Sequence, residues 1–341
     1  MKSDAKFTLA DLAQLAGVST STASRALKNN PLIKQATREK VQSLAREHNY
    51  SVNAAASRLR TQKTNVIAVI LNLIDDTEQS ISDPFLLKIV AELNKALNAA
   101  GYELLLSNSF MASDDWANYF ITSQRADGLI VVGQGKSNEK IDKAAAAGVP
   151  LVVWGEPTTP SSYPIIGGNN RRGGYLATTH LIEGGCKHIL FLGDPDHAEM
   201  TERHAGYEQA LREHGLTPDP ALTKPIDITS KAAYDCINDT VRQHGLNFDG
   251  IVCISDMLAL GALKALKERY VNIPADVSIV GYDDITLAEL MHPSITTIRQ
   301  DTQQAAQKMV SQLLKQFEGQ PTGSDTVDIS LQVRRSTRAE N

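Results

Sequence analysis

Two groups of residues in this chain have types and spacing that could do chemistry. The first is Thr20-Ser21-Thr22-Ala-Ser24-Arg25, preceded by Ser19. On the outer side of a helix, short hydroxyls donate to and accept from base edges, and an Arg reads guanine or phosphate. The second is spread through the chain: Arg203 in ERHAGY just past Gly193-Asp194, Asp256 after Ile254-Ser255, and Asp283 in VGYDD. Each follows a strand-like run, where open α/β sheets bind ligands. A planar guanidinium can hold two adjacent hydroxyls, and a carboxylate can accept from another.

Patterns for catalysis fail on inspection. Gly133-Gln-Gly-Lys-Ser137 looks like the end of a phosphate loop, but Ile130 stands where that loop needs Gly. His197-Ala-Glu199 mimics a deaminase motif without the PCxxC that must follow. There is no HExxH, GxSxG or GxGxxG. No catalytic set, metal ligands or cofactor is expected, and an enzyme is disfavoured.

The elements that would position the first group are short helices. Thr8 caps one, with Asp11 forming an imperfect capping box because Asp is shorter than Glu. Leu9, Leu12, Ala13 and Ala16 share its buried face, Gly17 ends it, and Ser19 caps the next. That second helix, Thr20–Leu27, buries Ala23 and Leu27. Asn29-Asn30-Pro31 is a loop, and a third helix over 35–48 turns Val41, Leu44 and Ala45 inward, leaving Arg38, Lys40 and Arg46 for phosphates. With Thr8 and Asn29, the residues from Ser19 to Thr22 and Arg25 form the expected DNA-facing set. Next comes Asn53-Ala-Ala-Ala-Ser-Arg-Leu-Arg60, too short to be a stable helix alone. It suits a segment that orders on DNA, with Leu59 as a minor-groove wedge flanked by Arg58 and Arg60.

Charge follows this division. The 341 residues carry a net −5, which would argue against a nucleic-acid partner. Residues 1–63, however, hold eleven Lys/Arg against four Asp/Glu, a balance of +7 that leaves −12 for the rest. No secretory signal or membrane-length apolar run is present, and Cys186, Cys236 and Cys253 are too few and too separated for a disulfide framework. A reducing, cytoplasmic setting without membrane attachment is expected.

The stretches LADLAQLAGVSTSTASRALKN and TREKVQSLAREHNYSVNAAASRLR, together with the later cleft motifs, resemble the lactose/galactose repressor (LacI/GalR) family over nearly the whole chain. The resemblance implies base reading by Thr20 and Ser21, with Arg25 near the recognition-helix end. It also implies a hinge Asn at Asn53, hinge alanines including Ala56, and a wedge at Leu59. Val52 replaces the Pro usual before the hinge Asn, and Ser57 an Arg usual after the alanines. For the effector site it implies Arg203 and Asp283, with Asn169-Asn170 where the family usually has Asp-Asn. Phe85, Trp154 and Tyr282 could stack on an apolar sugar face.

From residue 64, strand-like runs such as Val66–Asn72, Gly128–Val132 and Gly250–Ser255 alternate with helices such as 84–100, 138–147 and 203–214. This period predicts parallel sheets covered on both faces. Val327–Val333 alternates like one closing strand. The fold class expected is a small all-α helix-turn-helix head plus hinge helix. An α/β body of two lobes follows, like the periplasmic sugar-binding proteins. The divisions are 1–51, 52–63 and 64–341, with lobe crossovers near 163–168, 293–298 and 322–328. The implied function is a sequence-specific transcriptional regulator, a repressor released from double-stranded operator DNA by a small saccharide, a glucoside for preference. It would act as a homodimer; a tetramer has little support, since no Leu-heptad tail follows Arg338. A corepressor-dependent regulator, or a sugar-binding protein without a DNA role, are the alternatives.

Overall fold

The computed structural model describes residues 7–50, 63–73, 80–110, 113–135 and 137–338. It divides into two compact units, 1–64 and 65–341. Asn53, Ala56, Arg58, Leu59 and Arg60, with Val52 and Ser57, lie outside the described residues.

The head contains α1 (Leu9–Ala16), α2 (Thr20–Leu27) and α3 (Gln35–Glu47) around Leu12, Ala13, Ala16, Ala23, Ala26, Val41 and Ala45. Small side chains let three short helices approach closely. Ala26, rather than Leu27, is the second buried residue of α2, because Leu27 packs half-buried at the rim. The capping box of α1 is complete: Thr8 N–H donates to Asp11 Oδ2 at 2.8 Å and Asp11 N–H to Thr8 Oγ1 at 3.3 Å. Asp is therefore long enough. Gly17 closes α1 at φ 71°, a left-handed position that costs glycine nothing. Arg38, expected on the phosphate face, instead donates to the carbonyls of Asn30 and Ile33 and fastens the loop to α3.

The body holds two six-stranded sheets. Strands β1 (Val66–Leu71), β2 (Glu103–Asn108), β3 (Gly128–Val132), β4 (Leu151–Trp154), β5 (Ile165–Gly168) and β11 (Asp325–Val327) form the first, in the order β11-β5-β4-β3-β1-β2, all parallel. Strands β6 (Ile189–Leu192), β7 (Thr223–Lys224), β8 (Gly250–Cys253), β9 (Ser278–Asp283), β10 (Thr296–Gln300) and β12 (Ile329–Gln332) form the second, in the order β12-β10-β9-β8-β6-β7. Only β12 runs antiparallel there, against β10. Continuous apolar runs such as VIAVIL in β1 are buried throughout, as strands covered on both faces must be.

The helices that bear on the site are α4 (Pro84–Ala99), α5 (Glu139–Ala146), α6 (Asn170–Glu183), α7 (Ala198–Glu213), α8 (Ser230–His244), α9 (Asp256–Glu268), α10 (Thr286–Leu290) and α11 (Thr302–Phe317). The chain passes between sheets after β5, after β10 and between β11 and β12. The expected single closing strand is thus two short strands split at Asp328, one ending each sheet. Period-two alternation cannot register that change of partner. A π-helical turn over Ala117–Thr122 also occurs where no element was expected.

Candidate functional site

On the head, α2 presents the predicted polar surface. Thr20, Ser21 and Arg25 are exposed and Thr22 is half-buried. Ser19 is the N-cap, its Oγ accepting from Thr22 N–H at 3.1 Å, so this hydroxyl sets the helix start. Thr8 is likewise engaged as a cap. Asn29 adopts φ 55° and its Oδ1 accepts from Gln42 Nε2 at 2.7 Å, tying the loop after α2 to α3. Three of the expected DNA-facing residues therefore hold the helix geometry, and the Ser21 hydroxyl shares a 2.9 Å hydrogen bond with that of Ser19, while Thr20 and Arg25 extend from α2 as exposed side chains.

In the body a cleft with about 690 Å³ of unfilled space, part of it open to solvent, is bounded by residues of both lobes. Phe85, Trp154, Arg203 and Asp283 line it, as the sequence led one to expect. Arg203 sits in the second turn of α7, which begins five residues before the predicted Arg203 start because Ala198, Glu199, Met200 and Glu202 are good helix formers. Two glycines set its depth. A Cβ at Gly174 of α6 would overlap the Arg203 carbonyl, and one at Gly206 of α7 the Arg171 carbonyl. These absences let α6 and α7 cross in close contact and carry Arg203 inward.

The guanidinium is held from three sides. Arg203 Nε donates to Asn170 Oδ1 at 2.9 Å, Nη1 donates to the Ile254 carbonyl, and the plane lies 3.6 Å from the centre of the Tyr282 ring. Asn170 Nδ2 in turn donates to Glu156 Oε2 at 2.9 Å. A buried amide thus separates a buried cation from a buried carboxylate, and the charge balance is kept through hydrogen bonds. Tyr282 stacks on Arg203 rather than on the cleft, a correction to its expected role as a sugar platform. Its hydroxyl is buried, and burial pushes its pKa up to about 12.

Asp283 ends β9 at φ 106°, with Oδ1 accepting from Gln300 Nε2 at 2.9 Å. Burial holds its carboxyl well above the ordinary range, against the attraction of Arg203. Asp256 does not line the cleft. It is fully buried, accepting from Thr297 Oγ1 at 2.6 Å and Ile285 N–H at 2.9 Å, and it staples α9 to β10. Burial raises it to about 7. Strand-end position alone made it look like a ligand contact; the direction of its side chain decides otherwise. Asn170 also stands behind the wall, as a spacer.

Several cleft residues were not anticipated: Asn72, Asp83, Gly133, Gly135, His197, Glu199 and Ser255. Two of the rejected patterns lie here, Gly133-Gln-Gly as a turn with φ 94° and 63° at its glycines, and His197-Ala-Glu199 at the start of α7. Asp83-Pro84 carried a helix-start signal that could have been read, since Asp83 Oδ1 caps α4. Among the described residues, no group of three or more His, Cys, Asp or Glu could hold a metal ion, and no helix is long and apolar enough to cross a membrane.

Comparison with known proteins agrees with this architecture. Residues 8–53 match bacterial regulatory proteins of the lacI family, and residues 178–337 match the periplasmic binding protein-like domain. The HTH-type transcriptional repressor PurR of Haemophilus influenzae strain PittGG is 30% identical over 343 residues, covering 97% of this chain and 99% of that protein. Among solved structures, a lac repressor dimer bound to operator and an anti-inducer has a TM-score of 0.82 and 26% identity, covering 97% and 99% of the two chains. A complex of the transcriptional regulator CelR with cellobiose has a TM-score of 0.71 and 27% identity, covering 96% and 99%. The helix-turn-helix head, the two-lobed body and this full-length similarity together establish that the chain belongs to the LacI family of bacterial regulatory proteins, transcriptional regulators rather than enzymes.

Proposed function

We propose that the chain is a cytoplasmic, sugar-responsive repressor, acting as a homodimer on a near-palindromic operator. The observation that carries the effector reading is the convergence on one cleft of a pre-oriented guanidinium, a carboxylate and two aromatic rings. Arg203 and Asp283 supply donors and acceptors, while Trp154 and Phe85, whose ring centroids are 6.0 Å apart, offer apolar surface. That pairing of apolar face and convergent polar groups suits a saccharide, with a glucoside the first class to try. Two-fold pairing follows from the size of the head, since one recognition helix per chain reads too few bases.

Ligand binding favours closure of the lobes and lowers operator affinity by a coupling of about 1–3 kcal/mol. The test is a thermal-shift screen against mono- and disaccharides, with and without operator DNA. A ligand that binds only the folded chain raises its melting temperature. A saccharide that stabilises the free protein more than the operator complex supports induction. The reverse order makes the same site a corepressor site, and no shift with any saccharide overturns the reading.

A further inference from the structure

We propose that this cleft selects an amine-bearing saccharide over its neutral and phosphorylated counterparts, with Glu199 and Asp83 acting beside Asp283 as specificity-determining residues. The inference rests on the saccharide reading above and sharpens it. Three carboxyls from three elements face the cleft: Asp83 before α4, Glu199 in the first turn of α7, and Asp283 at the end of β9. Among the described residues that line it, Arg203 is the only Lys or Arg, and His197 the only His. Arg203 is largely taken up by the protein, with Nε and Nη1 bonded to Asn170 and Ile254 and its face against Tyr282.

The carboxyls have acceptor capacity to spare. No hydrogen bond from a described residue reaches the Glu199 carboxyl. Among the described residues, Asp83 is engaged at Oδ1, by the Phe85 and Leu86 amides, and Asp283 at Oδ1, by Gln300. Asp283 is 6% exposed and lines the cleft, so a ligand there can reach its second oxygen. Burial raises Glu199 to about 7 despite the attraction of Arg203, and Glu156 behind the wall adds repulsion. Burial also dominates at Asp83 and Asp283, and Asp256 and Asp83 push Asp283 further up. An ammonium brings three donors and a positive charge, which favours the ionised form of these carboxyls against the effect of burial; a neutral hydroxyl brings one donor and no charge; a phosphate adds negative charge where burial already opposes ionisation.

The experiment is calorimetric titration of the full chain at pH 7 with matched sets. These are glucose, glucosamine and glucose 6-phosphate; galactose, galactosamine and galactose 6-phosphate; and cellobiose with the β-1,4 disaccharide of glucosamine. In the best-bound scaffold the amine should bind at least tenfold tighter than the neutral sugar, and the phosphate at least tenfold weaker. Glu199→Gln should cut the amine advantage to threefold or less while the neutral sugar still binds; Asp83→Asn, which can still cap α4, should reduce it in the same direction. Neutral or phosphorylated sugars binding as tightly as amines would overturn the selectivity and leave the saccharide reading standing. Absence of binding by every sugar would overturn both. An amine preference undiminished in both variants would remove the role given to these residues.

Discussion

In the head, Arg25, Lys40 and Arg46 are exposed on helices held by a small alanine-rich core. In the body, Arg203, Asp283 and Asp256 are each under a tenth exposed and are fixed by hydrogen bonds. The two regions solve different recognition problems. A polyanion is met by cations that stay in water and release counterions, so attraction is long-ranged and screened by salt. The cleft instead holds a few groups desolvated in advance, whose orientation is enforced by Asn170, Tyr282 and Gln300. The charge divides along the same line, +7 on residues 1–63 and −12 on residues 64–341.

The sharpest test of this contrast is ionic strength. Operator affinity should fall by about 10³-fold or more between 50 and 200 mM salt, while affinity for the cleft ligand in its neutral form changes less than about threefold. Parallel measurement by fluorescence anisotropy and calorimetry decides it; equal slopes would erase the distinction.

Arg203→Ala is next in size. Asn170 and the Ile254 carbonyl lose their partner and the cleft loses its guanidinium. The body should lose about 3 kcal/mol in urea unfolding, and no saccharide should raise the melting temperature. Operator affinity at a temperature where the variant stays folded should remain within about threefold of the parent; its loss would make Arg203 a structural residue only.

The pH dependence probes the buried side of the comparison. Glu199 keeps its proton in the folded chain up to about 7, above the ordinary 4.5 of a free Glu. Its contribution to stability is therefore present at low pH and is lost as pH rises between those values. Glu199→Gln, which imitates the protonated form, should lose about 2 kcal/mol less than the parent between pH 5 and pH 8. Identical slopes for parent and variant would show that Glu199 titrates normally.

The smallest effect belongs to the head. Ser19→Ala removes the acceptor for the Thr22 amide and should lower the opening free energy of α2 amides by about 1 kcal/mol in hydrogen exchange. Protection in the body should not change. If base reading rather than capping were the role of Ser19, operator affinity would fall without any loss of protection.

Much of the head was legible in the residues themselves. Thr20–Leu27 is bounded by Ser19 and a loop, its polar and alanine positions follow one period, and capping is a contact across three residues. Local rules suffice where the contacts are local. The alternation of the body is equally readable, since buried parallel strands are short apolar runs between amphipathic helices. Its closing strand was not: Val327 and Ile329 belong to different sheets, a choice made by partners far away in sequence.

The same boundary runs through the cleft. Residue type and position after a strand pointed to Arg203 and Asp283, but gave Asp256 equal standing. Only packing shows that Asp256 turns inward to Thr297 and Ile285, that Tyr282 lies under the guanidinium, and that Asp83 and Glu199 face the cavity. By itself the sequence determined the basic head, the helix caps and the α/β period, because short-range hydrogen bonds and hydrophobic spacing are written along the chain. The tertiary structure alone decided which buried carboxyls face the cleft and which hold the fold. That depends on side-chain direction and on hydrogen-bond partners up to 41 residues away for Asp256, information that no local pattern contains.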